Sequence, residues 1–285
     1  MAAERFSSYR LPEEETLKKE KALDSILEKH RNVLIAFSGG VDSTYLLYKA
    51  IQVLGKDRVL AVNLQSGLNR SIKPDMLINI AGKLDAELMV EKLDLLSNPL
   101  VKNNSRERCY HCKKDIYGEL LKTAGVKGIE AVLDGSNADD PGDYRPGMKA
   151  LKELGIITPL LDAGLSKKEI RELSAHAALP TWNQPATTCL ATRFPYGTGL
   201  EKELLDRVYN AEKFLQSLLF SGDLRVRCHD DLARIEVSGE EFEKVIENRY
   251  KISSRLKALG FTHVTLNLDD FKSGSMNIFL DESDK

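Results

Sequence analysis

The sequence predicts an α/β protein in which a doubly wound parallel sheet is followed by a smaller α+β domain. Apolar runs of strand length alternate with amphipathic stretches through the first 200 residues, and such alternation is typical of parallel sheets covered by helices on both faces. A Ser-Gly-Gly turn joins the first apolar run to the helical pattern that follows it. After residue 200 two strands follow each other directly, which indicates a mixed or antiparallel sheet.

The elements of the first domain, residues 1–200, follow from their periodicity. A charged amphipathic helix is expected over residues 13–30, because its apolar residues recur on one face. Two further helices are expected at 44–54 and 74–84. Short apolar segments predict five strands, at 33–37, 59–63, 87–93, 129–133 and 155–159.

The second domain, residues 201–285, is preceded by a segment of different character. Residues 180–199 hold Pro180, Pro185 and Pro195 and show no period, so we expect an extended loop that crosses the active site. Beyond it the pattern predicts, in order, a helix at 201–220, strands at 224–228 and 233–237, a helix at 240–259 and a strand at 261–268.

Composition narrows the class of protein. The 285 residues are 42% hydrophobic and 29% charged with a net charge of −2, so no global basic field favours nucleic-acid binding. No apolar run approaches the ~20 residues of a membrane helix, and the N-terminus lacks a signal pattern, so we expect a cytoplasmic protein. In that reducing setting the four cysteines are expected to be metal ligands or reactive thiols rather than disulfides.

The most informative segment is the hexapeptide SGGVDS at residues 38–43, between a predicted strand and a predicted helix. Gly39 and Gly40 allow the backbone to approach a ligand closely. The loop N–H groups, the hydroxyls of Ser38 and Ser43 and the positive end of the helix then face one point, which is an anion site. It is neither a Walker loop, since it has no Lys-Ser/Thr pair, nor a G-x-G-x-x-G fingerprint.

Polar residues follow two other predicted strands. Ligands of parallel sheets bind beyond the carboxyl ends of the strands, where residues 63–66 and 134–137 are expected beside the SGGVDS loop. The acidic residues of the second stretch and its continuation could hold Mg²⁺ or orient a nucleotide, or could form an acidic surface loop. They are Asp134, Asp139, Asp140 and Asp143.

Cys109 and Cys112 form a C-x-x-C with cationic neighbours, and such neighbours favour the thiolate that binds metals. With Cys189 in the proline-rich segment they make three thiols. A structural zinc site normally takes four ligands, whereas three thiolates suit a [4Fe–4S] cluster with one iron open. His111 is a weaker fourth candidate, and the pair could also be incidental small residues at a helix start. Cys228 lies in a strand pattern and is expected to be structural.

Arg225 and Arg227 are two residues apart in a predicted strand, so their side chains share one face. Paired guanidiniums recognise phosphate or carboxylate groups. Two solvated charges on an edge strand are the alternative.

The chain resembles the LarE family of sulfur transferases, within the ATP pyrophosphatase (PP-loop) superfamily. SGGVDS alone is typical of the superfamily, and four further segments are typical of the LarE family. The resemblance covers nearly the full length and rests on SGGVDS (38–43), DGSNADDPGDYRPG (134–147), CLATRFPYG (189–197), RVRCHDDLARIEV (225–237) and GFTHVTLNLDDFKSGSMN (260–277).

The resemblance implies an adenine nucleotide alpha hydrolase-like fold and a two-step reaction. ATP adenylates a carboxylate of pyridinium-3,5-dicarboxylate mononucleotide with release of pyrophosphate, and a sulfur nucleophile then displaces AMP. The cycle repeats on the second carboxylate during synthesis of the nickel-pincer nucleotide cofactor. The implied ATP-binding residues are Ser38, Gly39, Gly40, Asp42, Ser43, Asn63 and Gly135.

The remaining implied roles concern sulfur and substrate. Cys189, Asp42 and Ser43 are the expected catalytic residues, and Arg193, Arg225 and Arg227 are expected at the substrate phosphate. One branch of the family sacrifices the sulfur of the cysteine that matches Cys189. This chain also has Cys109 and Cys112, so it resembles the branch in which three cysteines hold a [4Fe–4S] cluster that delivers sulfide. A sulfide donor and a homo-oligomer are the expected partners.

Three other functions compete with this one. A tRNA thiolase of the same superfamily would need a basic groove, which the net charge of −2 disfavours. An amidating synthetase would need no cysteines. A non-catalytic nucleotide sensor would bind ATP without releasing pyrophosphate.

Overall fold

A computed structural model describes residues 12–69, 73–140, 146–185, 188–218 and 224–271. The chain divides into two compact units. The first comprises residues 1–65, 71–93 and 109–186, and the second comprises residues 66–70, 94–108 and 187–285. The expected domain boundary near residue 200 stays a prediction.

The first unit is built on a four-stranded sheet in the order β3-β2-β1-β4. All of its strand pairs are parallel, with Val33 of β1 opposite both Val59 of β2 and Ala131 of β4. The parallel sheet predicted from the alternating pattern is therefore confirmed. The strands are β1 (Val33–Ala36), β2 (Val59–Gln65), β3 (Glu87–Lys92) and β4 (Ala131–Leu133).

The prediction of a fifth strand at 155–159 is wrong. Ile157 forms only a single parallel bridge with Leu133, and a short helix begins at Pro159. Proline lacks an N–H group and its fixed φ suits the first position of a helix, so the apolar segment leaves the sheet after one bridge.

Side chains of the sheet alternate between two cores. Val33 and Ile35 pack into one core and Leu34 packs into the other. Because both faces of the sheet are covered by helices, β1, β4 and the first half of β2 are apolar and buried on both sides, as parallel strands are in doubly wound folds, whereas the edge strand β3 is largely exposed. The helices of the described chain are α1 (Glu14–Leu27), α2 (Val41–Leu54), α3 (Pro74–Lys83), α4 (Pro99–Lys102), α5 (Arg108–Lys127), α6 (Pro146–Glu153), α7 (Pro159–Asp162), α8 (Lys167–His176), α9 (Lys202–Leu218), α10 (Phe242–Glu247) and α11 (Arg249–Ala258). None of the helices in this part of the chain is long and apolar enough to cross a membrane.

The second unit carries a three-stranded mixed sheet in the order β5-β6-β7. β5 (Leu224–His229) and β6 (Leu232–Val237) are antiparallel, and β6 and β7 (His263–Leu266) are parallel. The mixed sheet expected from two successive strands is confirmed. The single helix expected at 240–259 is instead two helices, which meet at Asn248.

Candidate functional site

The SGGVDS segment forms a tight loop between β1 and α2. Gly39 has a φ of 73°, a backbone region that glycine enters without strain. The hydroxyl oxygens of Ser38 and Ser43 are 2.9 Å apart, and the N–H of Gly40 donates to the hydroxyl of Ser38 at 3.3 Å. The loop thus holds two hydroxyls together at the N-terminus of a 14-residue helix, where helix N–H groups attract anions.

The loop lies where the strand order of the sheet reverses. From β1 the chain continues to β2 and β3 on one side of the sheet, whereas β4 lies on the other side of β1. The crevice beyond the carboxyl ends of β1 and β4 is therefore the expected ligand position. The side-chain amide of Asn63, on β2, donates to the carbonyl of Phe37 at 2.7 Å. Asn63 therefore fixes the end of β1 at the start of the loop.

Gly135, just after β4, has a packing reason to be glycine. A Cβ atom there would lie 3.2 Å from the backbone N of Ser43 and 3.3 Å from its Cα. The segment after β4 therefore runs directly against the first turn of α2. The sequence predicted that Gly135 belongs near the loop, and the structure brings the two together.

Asp42 is the acidic residue of the SGGVDS loop. One of its oxygens pairs with the ammonium of Lys167, and its Oδ1 is buried without a hydrogen-bond partner. Burial raises the pKa of the Asp42 carboxyl, and the nearby Lys167 ammonium only partly offsets this. A buried oxygen that lacks a partner costs free energy, so this side chain is poised for a further cationic or donor group.

Sequence reasoning missed Lys167, which is 125 residues from Asp42. Lys167 is the first residue of α8, directly after Ser166, whose side chain and that of Glu169 form a capping box. Its backbone N–H donates to Asp139 at 2.8 Å. A capped helix start is readable from the sequence, but its approach to the loop is not.

Asp134 is held by three side chains. It accepts from the hydroxyls of Tyr117 and Ser136 and from the Lys113 ammonium, whose Nζ lies 3.1 Å away. Burial raises the pKa of this carboxyl, but Lys113 and the two hydroxyls together lower it by more. The pKa of Asp134 therefore lies below its usual value. Asp134 is therefore a fixed anion.

The other acidic residues of this segment hold the backbone. Asp140 accepts from the N–H of Asn137 at 2.8 Å, and Asp139 accepts from that of Lys167, as described above. Each carboxylate therefore already has a structural partner. Asp143 lies outside the described residues, as do residues 272–277 of the segment GFTHVTLNLDDFKSGSMN.

Cys109 and Cys112 are the second and fifth residues of α5, three positions apart and so on one face of the helix. Cys109 is exposed and Cys112 is partly buried. None of the cysteines is in a disulfide. Across the described ranges, no group of three or more His, Cys, Asp or Glu side chains is arranged to hold a metal ion. The structure thus places two of the three predicted ligands together, and the joining of this pair with Cys189 stays a prediction.

Cys189 precedes a short 3₁₀ turn in the second unit, and its carbonyl accepts from the guanidinium of Arg193 at 3.2 Å. Arg193 also donates to the hydroxyl of Thr192 at 2.8 Å and pairs with Glu212 through two bonds, of 2.8 and 3.2 Å. Both charged side chains are buried. Sequence reasoning missed Glu212. Arg193 thereby anchors the backbone of Cys189, and its predicted contact with substrate phosphate stays a prediction.

Arg225 and Arg227 share one face of the second sheet, as predicted from their spacing. Strand register puts Arg225 opposite Glu236 and Arg227 opposite Arg234, so these four side chains form what we term the arginine face. Glu236 accepts from Arg227 and from Arg234, at 2.9 Å each. Arg227 also donates to the carbonyl of Thr192 at 2.5 Å.

Sequence reasoning missed Arg234 and Glu236 at this face, although the alternation of β6 carried the signal. In contrast, Cys228 on the same strand as Arg227 is buried, and burial raises the pKa of its thiol to about 11. This thiol is therefore unreactive, as expected for a structural cysteine.

Comparison with known proteins gives three relatives of similar length. No protein-family model matches the chain. The pyridinium-3,5-bisthiocarboxylic acid mononucleotide synthase of Lactiplantibacillus plantarum is 40% identical over 259 residues, 91% of this chain and 94% of the relative. An uncharacterised Synechocystis protein is 36% identical over 86% of this chain and 91% of its own. One from Methanocaldococcus jannaschii is 31% identical over 89% of this chain and 96% of its own. The chain therefore belongs to the LarE family of sulfur transferases, and the resemblance drawn from its motifs is confirmed.

Proposed function

We propose that the chain uses ATP to convert the carboxylates of pyridinium-3,5-dicarboxylate mononucleotide into thiocarboxylates, for synthesis of the nickel-pincer nucleotide cofactor. The observation that carries the proposal is the match to a pyridinium-3,5-bisthiocarboxylic acid mononucleotide synthase over 91% of the chain. The anion-binding loop at the reversal of strand order supports it, because that chemistry begins with a phosphate-bearing cosubstrate.

The first step is adenylation. A substrate carboxylate oxygen attacks the α-phosphorus of ATP, the bond to the bridging oxygen breaks, and pyrophosphate leaves. Hydroxyls and N–H groups at Ser38, Gly39, Gly40 and Ser43 are suited to stabilise the departing charge. Asn63 and Gly135 hold the surrounding backbone.

Asp42 and Lys167 are the charged side chains proposed to act in this step. The buried Oδ1 of Asp42 has no hydrogen-bond partner and is a suitable ligand for Mg²⁺, which prefers carboxylate oxygens and substrate phosphates. Mg²⁺ held there would neutralise phosphate charge, and the Lys167 ammonium, on the other oxygen of the same carboxylate, would supply a second positive charge to the phosphates. The loop itself contains no lysine.

The second step replaces AMP by sulfur. Hydrosulfide attacks the acyl carbon, the bond to AMP breaks, and one proton is released as the thiocarboxylate forms. We propose that Cys109, Cys112 and Cys189 hold a [4Fe–4S] cluster, which when bound supplies sulfide repeatedly. Support comes from the position of Cys109 and Cys112 on one face at the start of α5 and from the Arg193 bond that fixes the Cys189 backbone. The competing proposal is that Cys189 gives up its own sulfur once.

The substrate phosphate is assigned to the arginine face. Arg225 and Arg227 project from one side of β5, and paired guanidiniums bind phosphate oxygens bidentately. A cytoplasmic homo-oligomer supplied by a separate sulfide donor completes the proposal.

The test supplies purified protein with ATP, Mg²⁺, sulfide and the dicarboxylate mononucleotide under anaerobic conditions. We expect AMP, pyrophosphate and a thiocarboxylate product, identified by mass spectrometry as replacement of carboxylate oxygen by sulfur. ADP and orthophosphate as the main products, or an unchanged mononucleotide, would contradict the proposal. A Ser43→Ala variant removes one loop hydroxyl and no charge, so pyrophosphate release should slow while the fold stays intact.

A further inference from the structure

The segment that follows β7 carries a family motif to which the proposed function assigns no role. Asn267 donates its N–H to the carbonyl of Ile235 at 2.8 Å. The chain then leaves β7, and the N–H of Phe271 donates to the carbonyl of Val237 at 3.2 Å. Because Val237 is paired with Leu224, the segment ends beside the first residues of β5. It therefore runs from one edge of the sheet past the end of β6 to the arginine face.

A second contact fixes this path. The N–H of Gly239 donates to Oδ1 of Asp270 at 2.7 Å. A Cβ atom on residue 239 would lie 2.8 Å from the same oxygen, closer than such atoms approach. A side chain at residue 239 would therefore displace the Asp270 carboxylate from its present position, and Asp270 directly precedes the residue that reaches the arginine face.

That next residue, Phe271, meets Arg225. The guanidinium carbon of Arg225 lies 5.2 Å from the centre of the Phe271 ring, within the range of a cation–π interaction. Stacking uses the flat face of a guanidinium and leaves its N–H groups in the plane for hydrogen bonds. One of them donates to the carbonyl of Leu224 at 2.7 Å.

We infer that Phe271 is a positioning residue for substrate binding. Its ring holds the Arg225 guanidinium in the orientation that receives the phosphate of the substrate nucleotide. The inference rests on the proposed function, because it takes Arg225 as a phosphate ligand. The two arginines are then oriented by different means. A buried carboxylate pairs with Arg227, and an aromatic ring packs on Arg225.

The experiment measures pyrophosphate release at saturating ATP against the concentration of dicarboxylate mononucleotide. Removing the ring in Phe271→Leu is expected to raise the KM about three- to tenfold, the effect of a partly desolvated cation–π contact, with kcat nearly unchanged. Phe271→Tyr keeps the ring and should restore the KM. Thermal unfolding of each variant shows whether the fold is intact.

A double variant separates positioning from a general structural role. If Phe271 acts only through Arg225, then Phe271→Leu adds nothing to the KM of Arg225→Ala, because the two changes remove one interaction. Phe261→Leu is the matched control, since Arg207 stacks on Phe261 at 5.3 Å elsewhere in the unit. It should lower stability and leave the KM unchanged.

Three results would overturn the inference. An unchanged KM in Phe271→Leu, beside a raised KM in Arg225→Ala, would show that the ring does not orient the guanidinium. Full additivity in the double variant would show that the two residues act separately. An unchanged KM in Arg225→Ala would overturn the phosphate role of Arg225 and this inference with it, while leaving adenylation itself to its own test.

Discussion

The Ser38–Ser43 loop of the first unit and the arginine face of the second treat buried charge in opposite ways. In the loop, Asp42 has one paired oxygen and one buried oxygen without a partner, and burial raises the pKa of the carboxyl. At the arginine face, one carboxylate, Glu236, pairs with two guanidiniums. The loop therefore keeps a buried carboxylate oxygen whose cost a ligand can relieve, whereas the buried carboxylate of the arginine face is already compensated by two guanidiniums. Substitutions in the two regions should separate activity from stability.

The largest expected effect is on stability, at the buried ion pair beside the arginine face. Arg193→Met leaves the Glu212 carboxylate buried without its bidentate partner, and breaking such a pair typically costs about 3–5 kcal/mol. We expect a loss of this size in the free energy of unfolding, measured by urea denaturation. The substitution also releases the carbonyl of Cys189, so sulfur transfer should fall as well.

A double variant, Arg193→Met with Glu212→Gln, removes both charges and should recover most of the lost stability, since no buried charge is left uncompensated. The amide introduced at residue 212 would still have an oxygen for the N–H of Val226, which now bonds to Glu212 at 3.0 Å. If Arg193→Met instead leaves stability unchanged and weakens only substrate binding, Arg193 is a phosphate ligand and its anchoring role is wrong.

The next effect is on activity, in the loop. Asp42→Asn should slow pyrophosphate release by about 10²–10³-fold, the usual effect of removing one preorganised electrostatic group. The free energy of unfolding should stay the same or rise, because burial disfavours the charged carboxylate that the amide replaces. Steady-state kinetics and urea denaturation of one preparation measure both.

Asp85→Asn is the control for this variant. Asp85 pairs with Lys56 at 2.6 Å on the surface, where such pairs contribute little, so neither activity nor stability should change much. A strong loss of stability in Asp42→Asn would show that the Lys167 pair outweighs the cost of burial. The contrast between the two regions would then fail.

The smallest effect is a pH dependence at Asp134. A carboxyl whose pKa is lowered by folding stabilises the protein above its unfolded pKa, about 4, and this stabilisation is lost as pH falls through the folded pKa. Asp134→Asn should therefore be less stable than the parent chain at neutral pH, and the deficit should shrink below about pH 4. For Asp42→Asn the difference in stability from the parent chain should change with pH in the opposite direction, because folding raises the pKa of Asp42. Equal deficits at pH 7 and pH 3 would contradict the assignment.

Sequence reasoning succeeded where a feature is local. The four parallel strands, the Ser-Gly-Gly turn and the shared face of Arg225 and Arg227 each follow from spacing within a few residues. The partners of those residues did not, because they come from distant segments: Lys167 reaches Asp42, and Glu212 reaches Arg193. The missing fifth strand has a local cause, since Pro159 starts a helix where an apolar run predicted a strand.

The most direct test of the central claim counts sulfur. The chain is loaded with iron and sulfide anaerobically and is then given ATP, Mg²⁺, excess sulfide and the dicarboxylate mononucleotide. The masses of the product and of the protein are measured by mass spectrometry. Repeated delivery through Cys109, Cys112 and Cys189 predicts several thiocarboxylates per chain, an unaltered Cys189, and an inactive Cys109→Ala variant. No more than one sulfur transferred per chain, with Cys189 converted to dehydroalanine and Cys109→Ala still active, would contradict it.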